Sequence, residues 1–195
     1  MKIVFASGNE GKVKEIREML GGMGIELVSL KDYADVPEIV EDGDTFLENA
    51  LKKAKIISEF TGETVLADDS GLSVNALGGE PGIYSARYAG EKATDDDNTD
   101  LLLEKLKNIS QEKRTAFFCC ALVLDRADGS YDSFESKWHG RIIDERLGTN
   151  GFGYDPVFFV PELKKTAAEL PPETKNKVSH RGQAFAQLKR KLAEN

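Results

Sequence analysis

The sequence predicts a mixed α/β fold with a substantial antiparallel part. Three observations carry this expectation. The chain opens as strand, helix, strand: an apolar run from Lys2 to Ala6, a helical stripe of Val13, Ile16, Met19 and Leu20, and a β-like run from Glu26 to Leu30. Two long β-like runs, Thr115 to Leu124 and Tyr131 to Ile143, flank "ADGS" (Ala127 to Ser130), a good hairpin signal. Ala184, Phe185, Leu188 and Leu192 then mark an amphipathic C-terminal helix with a basic outer face.

The remaining elements follow in order. Gly21, Gly22 and Gly24 end the first helix. Lys31 to Asp44 reads as a polar, acidic loop containing Pro37. Thr45-Phe-Leu-Glu48 has capping-box spacing, and Phe46, Leu47, Ala50, Leu51, Ala54 and Ile57 give the helix behind it an apolar face. Thr64 to Ala67 is expected as a strand that ends by delivering Asp68 and Asp69, with "SGL" as the turn. Gly78 to Gly90 reads as an irregular, Gly-rich loop. Asp95 to Asp97 suit a helix start, where acids meet the positive end of the dipole, and Leu101, Leu102, Leu103 and Leu106 continue that helix. Pro156 to Val160 is a further strand.

The chain's 195 residues, 40% hydrophobic and 31% charged, fit one domain with a sizeable core. No internal repeat, low-complexity stretch or linker divides it. The net charge of −8, from 34 acids against 26 bases, argues against a nucleic-acid surface. A phosphate ligand would need a local cationic pocket. Cys119 and Cys120 are adjacent, so in a strand they face opposite sides. They read as buried small apolar residues, not as a disulfide or a zinc site. The apolar start of the chain is too short for a signal sequence or a membrane span, and a cytoplasmic protein is expected.

Three stretches suggest anion or base binding. "SGNEGK", Ser7 to Lys12, lies between a strand and a helix, where backbone N–H groups and the helix dipole favour anions. It matches neither the Walker A nor the Rossmann pattern, and a tight turn with a solvated lysine explains it equally well. "GFGYDP", Gly151 to Pro156, is either a bare turn or a turn that offers Phe152 to a base. "KVSHRGQAF", Lys177 to Phe185, puts His180 and Arg181 at a helix start, where cations are disfavoured unless an anion lies near. The acids Asp68 and Asp69, with Glu41, Asp42 and Asp44 upstream, are the hard oxygen donors that Mg²⁺ prefers. Taken singly, each is also an ordinary capped turn or acidic loop.

The stretches "SGNEGK", "EDGDTFLENALKKA", "ADDSGLSVNALGGEPGIYSARYAG", "GFGYDPVF" and "SHRGQA" occur in the order and spacing of one family. The chain resembles the inosine triphosphate pyrophosphatases from Lys2 to near Leu192. The resemblance implies Mg²⁺-dependent hydrolysis of ITP, dITP and XTP to the nucleoside monophosphate and pyrophosphate, removing them from the nucleotide pool. It implies one α/β domain over residues 1–195, an elongated mixed sheet flanked by helices, with two lobes, a central cleft and a homodimeric state. By motif match it makes Asp69 the general base, with Glu41, Asp69 and neighbouring Asp68 around the metal. Ser7, Gly8, Asn9, Glu10, Gly11 and Lys12 would cradle the triphosphate, aided by Lys53 and Ser70. Phe152, Gly153, Tyr154, Asp155, Lys175, His180 and Arg181 would form the base pocket. A nucleotide sensor without catalysis, or a related enzyme acting on other nucleotides, would share the cradle and the basic residues.

Overall fold

The computed structural model describes residues 1–193. The helices are α1 (Glu10–Leu20), α2 (Phe46–Thr61), α3 (Asp95–Leu106), α4 (Pro172–Val178) and α5 (His180–Ala193). The strands are β1 (Lys2–Phe5), β2 (Glu26–Ser29), β3 (Val65–Val74), β4 (Thr115–Asp125), β5 (Tyr131–Ile142), β6 (Phe158–Val160) and β7 (Lys165–Thr166). They form one seven-stranded sheet in the order β2-β1-β3-β4-β5-β6-β7. β1 pairs in parallel with β2 and β3, whereas β6 is antiparallel to both β5 and β7. The sheet is therefore mixed, as expected. Among the described residues no helix is long and apolar enough to cross a membrane.

Two compact units share the chain. Of the described residues, unit one holds 1–69, 120–136 and 181–193, and unit two holds 70–119 and 137–180. In unit one, strand alternation sorts the core into two layers. Ile3, Phe5, Leu66, Cys120, Leu122 and Leu124 pack with Val13 and Ile16 of α1 and Phe185 and Leu188 of α5. Val4, Ala6, Val65, Ala67, Ala121 and Val123 pack instead with Ala50, Ala54 and Ile57 of α2. Both cysteines are buried, as their reading as small apolar residues requires. Unit two has its own core, built on Leu72, Val74, Leu102, Leu106, Phe118, Trp138, Tyr154 and Phe158.

The structure differs from the sequence expectation at β3. The strand does not end at Ala67. It runs unbroken through "DDSGLSV" to Val74, so "SGL" is strand and not turn. Asp and Gly are poor strand formers in isolation, but here nine of the ten residues of β3 are buried and tertiary contacts override local propensity. The cap of α2 is also rearranged. Thr45 Oγ1 accepts from the Glu48 N–H at 3.1 Å, but the Glu48 carboxylate reaches the Asp44 N–H instead of that of Thr45.

Candidate active site

Because β3 continues, Asp68 and Asp69 face opposite sides of the sheet. Asp68 follows Leu66 onto the α1/α5 face, and Asp69 follows Ala67 onto the α2 face. Two adjacent like charges are tolerated because each side chain points into a different layer, while Lys12 and Lys53 offset both charges.

The Asp68 side chain has no solvent exposure. Its Oδ2 lies 3.0 Å from Lys12 Nζ of α1 and 3.4 Å from Arg181 Nε of α5. Arg181 Nη1 also donates to Glu15 Oε2 at 3.0 Å. Burial alone would raise the Asp68 carboxyl, but Lys12, Arg181 and Lys53 outweigh it and hold the group well below the usual carboxylate range. Arg181 at the start of α5 is thus met by the protein's own acids, and both Arg181 and His180 are buried.

Asp69 sits in the opposite layer. Asn49 Nδ2 of α2 donates to its Oδ2 at 3.1 Å. Burial pushes the Asp69 carboxyl up to about 6; Lys53 and Lys12 pull against this, while Glu41 and Asp68 add to the rise. Lys53 is buried, not solvated. Its ammonium donates to the Asp68 carbonyl at 3.0 Å and pairs with Glu41. Burial would lower the Lys53 amine, but Asp68 and Glu41 raise it overall, so the lysine stays charged. The sequence reading missed Asn49. Its Oδ1 accepts the Gly43 N–H at 2.8 Å, so one side chain ties the acidic loop to Asp69. The signal was a lone amide in the apolar stripe of α2.

At "SGNEGK", Asn9 caps α1, its Oδ1 accepting the Lys12 N–H at 3.1 Å, and Ser7 Oγ accepts the Asn9 N–H at 3.2 Å. This much is a strand-to-helix turn. Gly8 is not explained by it, because a Cβ there would meet nothing within 4 Å and the fold itself does not demand glycine. A bare backbone beside open space suits the close approach of a ligand. Glu10 is exposed and paired with Lys31. Ser70 is half-buried on β3.

Unit two collects most of the expected base-pocket residues. Asp155 is buried, accepts the Phe152 N–H at 3.0 Å and pairs with Lys175 Nζ at 2.5 Å. That ammonium lies 5.1 Å from the centre of the Phe152 ring. Gly151, at φ +78°, makes room for the pair: a Cβ there would stand 2.0 Å from Asp155 Oδ2. The Gly153 N–H donates to Asp95 at 2.7 Å. Tyr154 is a core residue, its hydroxyl donating to the Ser85 carbonyl at 2.8 Å. The His180 ring stacks on Phe118 at 4.8 Å, with Trp138 at 6.5 Å.

The sequence profile of the Ham1 family matches residues 3–191. The chain belongs to the Ham1 family. A dITP/XTP pyrophosphatase of Geobacter sulfurreducens is 52% identical over 96% of this chain and 94% of its own. The solved structure of a Ham1 protein from Coxiella burnetii superimposes with a TM-score of 0.91 at 43% identity, covering 100% of both chains. A nucleoside-triphosphatase, dITP/XTP pyrophosphatase, of Mycobacterium abscessus gives 0.77 at 46% identity over 96% of this chain and 97% of that one.

A divalent cation would find only part of a cage in this Ham1 chain. Among the described residues no group of three or more His, Cys, Asp or Glu side chains is poised to hold a metal ion. Mg²⁺ asks for less, commonly one or two carboxylates, with water and phosphate oxygens completing the octahedron. Glu41 and Asp69 meet that demand. They share Lys53, and Glu41 raises the Asp69 carboxyl as a nearby like charge does. The donor set is all oxygen, so the residues present fit a hard cation.

Proposed function

We propose that the protein hydrolyses the non-standard purine nucleoside triphosphates ITP, dITP and XTP to the monophosphate and pyrophosphate. The observation that carries the reading is the rigid presentation of Asp69 on β3, with Asn49 and Lys53 around it, in a chain so similar to named dITP/XTP pyrophosphatases. Asn49 fixes the carboxylate's orientation. Asp69 orients the attacking water and takes its proton. The Lys12 and Lys53 ammonium groups and the backbone N–H groups at the start of α1 would meet the phosphate oxygens, where positioning and charge neutralisation supply most of the catalysis. Glu41 and Asp69 would hold Mg²⁺, which would supply neutralisation of phosphate charge.

Base choice falls to Phe152, Asp155 and Lys175, with His180. Phe152 offers a ring face. Lys175, held by Asp155, donates to O6 of hypoxanthine or xanthine. Adenine places an amino donor there, so donor faces donor and the hydrogen bond to O6 is lost, while the lysine keeps its pair with Asp155. On the same reading the two compact units are the lobes of one domain. The resemblance supports a cytoplasmic homodimer that clears such nucleotides from the pool, and the net charge of −8 supports a free nucleotide over nucleic acid as substrate.

The test is a substrate panel with pyrophosphate detection. Pyrophosphate release is expected from dITP, ITP and XTP with Mg²⁺, far less from dATP and dGTP, and none after chelation by EDTA. Tight dITP binding without Mg²⁺-dependent turnover would favour a sensor, and preference for a pyrimidine nucleotide would overturn the base assignment.

A further inference from the structure

The family resemblance counts Asp68 among the metal-binding acids and Arg181 in the base pocket. The geometry points to a different division: Asp68 is a positioning residue that holds Lys12 at the phosphate cradle and Arg181 at the start of α5, and only Asp69 of the two deals with water and metal. This rests on the reaction proposed above and assigns labour within that site.

Three observations support it. Asp68 lies on the α1/α5 face of β3, whereas Glu41, Asn49 and Asp69 belong to the α2 side. Its Oδ2 is the shared acceptor of Lys12 Nζ at 3.0 Å and Arg181 Nε at 3.4 Å, and the side chain has no solvent exposure. Lastly, Arg181 Nη1 reaches Glu15, which lies one turn beyond Lys12 on α1. Two acids and two bases thus interlock α1, β3 and α5.

The consequence concerns Lys12. A lysine is a point charge on four rotatable bonds, and ordering it against a phosphate costs side-chain entropy. Asp68 has already restricted it, so an incoming polyphosphate meets an ammonium held near its working position. Pre-organisation of this kind raises affinity without a new contact. Arg181, held by two carboxylates, fixes the start of α5 and so keeps Asp68 in place.

A double-mutant cycle on the binding of inorganic triphosphate, measured by calorimetry, tests this apart from base recognition and from hydrolysis. Asp68→Asn and Lys12→Met are each expected to weaken binding by about tenfold, a usual coupling for charged groups in contact. The double variant should bind no more weakly than Lys12→Met. Losses that multiply, or Asp68→Asn binding as tightly as the parent or more so, would overturn the assignment, as would absence of triphosphate binding by the parent. A base or metal role for Asp68 would show differently: dITP turnover would collapse with triphosphate binding intact, and the collapse would persist in the Lys12→Met background. Should Asp68→Asn not fold, the cycle of Lys12→Met with Arg181→Gln replaces it. These two cations meet at Asp68, so their effects should be non-multiplicative, and independent effects would contradict the proposal. A parent protein that binds triphosphate but leaves dITP intact would refute the proposed reaction while leaving the coupling readable.

Discussion

At Asp69 the carboxylate meets the Asn49 amide at 3.1 Å and feels the charges of Lys53 and Glu41, while one residue earlier Asp68 is enclosed by Lys12 and Arg181. The Asp69→Asn variant keeps the size and the partners of the side chain and removes its basicity. It should still bind dITP, while kcat falls by roughly 10²–10⁴-fold, the usual contribution of a general base. Pre-steady-state turnover alongside equilibrium binding measures both, and an unchanged rate would remove Asp69 from the base role. Which of the site's residues were legible depended on local context. Asp69 and Glu41 are marked by clustered acid and Lys12 by its place at a helix start. Lys53 reads as a solvated helix lysine until burial and its contacts with Glu41 and the Asp68 carbonyl are known. The Glu15 to Arg181 contact joins residues 166 apart in sequence and leaves no local trace.

Among the elements, helices with a long apolar stripe were readable. α1, α2, α3 and α5 fall where the spacing of Val13, Ile16, Ala50, Ala54, Leu102, Leu106, Phe185 and Leu188 puts them. α4 was not, because its seven residues carry Val178 as their one large apolar side chain, although a proline at the first turn hints at a helix start. β7, of two residues, is too short for a period to show. β3 was misjudged because "DDSG" has the composition of a turn, and only burial on both faces reveals it as strand. Close packing between β5 and β6 makes a separate prediction. A Cβ at Gly140 would stand 2.6 Å from both Phe158 Cζ and the Phe159 carbonyl oxygen. Gly140→Ala should therefore destabilise the fold by about 1–3 kcal/mol, the range for overpacking. Denaturant unfolding checks it, and an unchanged midpoint would mean that the strands separate without cost.

For the whole molecule, the mixed seven-stranded order, the local cationic groups in an acidic chain and the family membership point to the same chemistry. The charge balance matters at this scale. With a net charge of −8 the surface repels polyanions, so the proposed triphosphate affinity depends on Lys12, Lys53 and a bound cation. The order of the motifs was legible throughout the chain, but the division of unit one into an α1/α5 layer serving Asp68 and an α2 layer serving Asp69 was not. It follows from strand alternation once β3 is known to continue. Cleavage at the α–β phosphoanhydride is read out by phosphorus NMR of a dITP reaction with Mg²⁺. dIMP and pyrophosphate are expected in equal amounts as the first products; dIDP and orthophosphate as first products would refute cleavage at that bond.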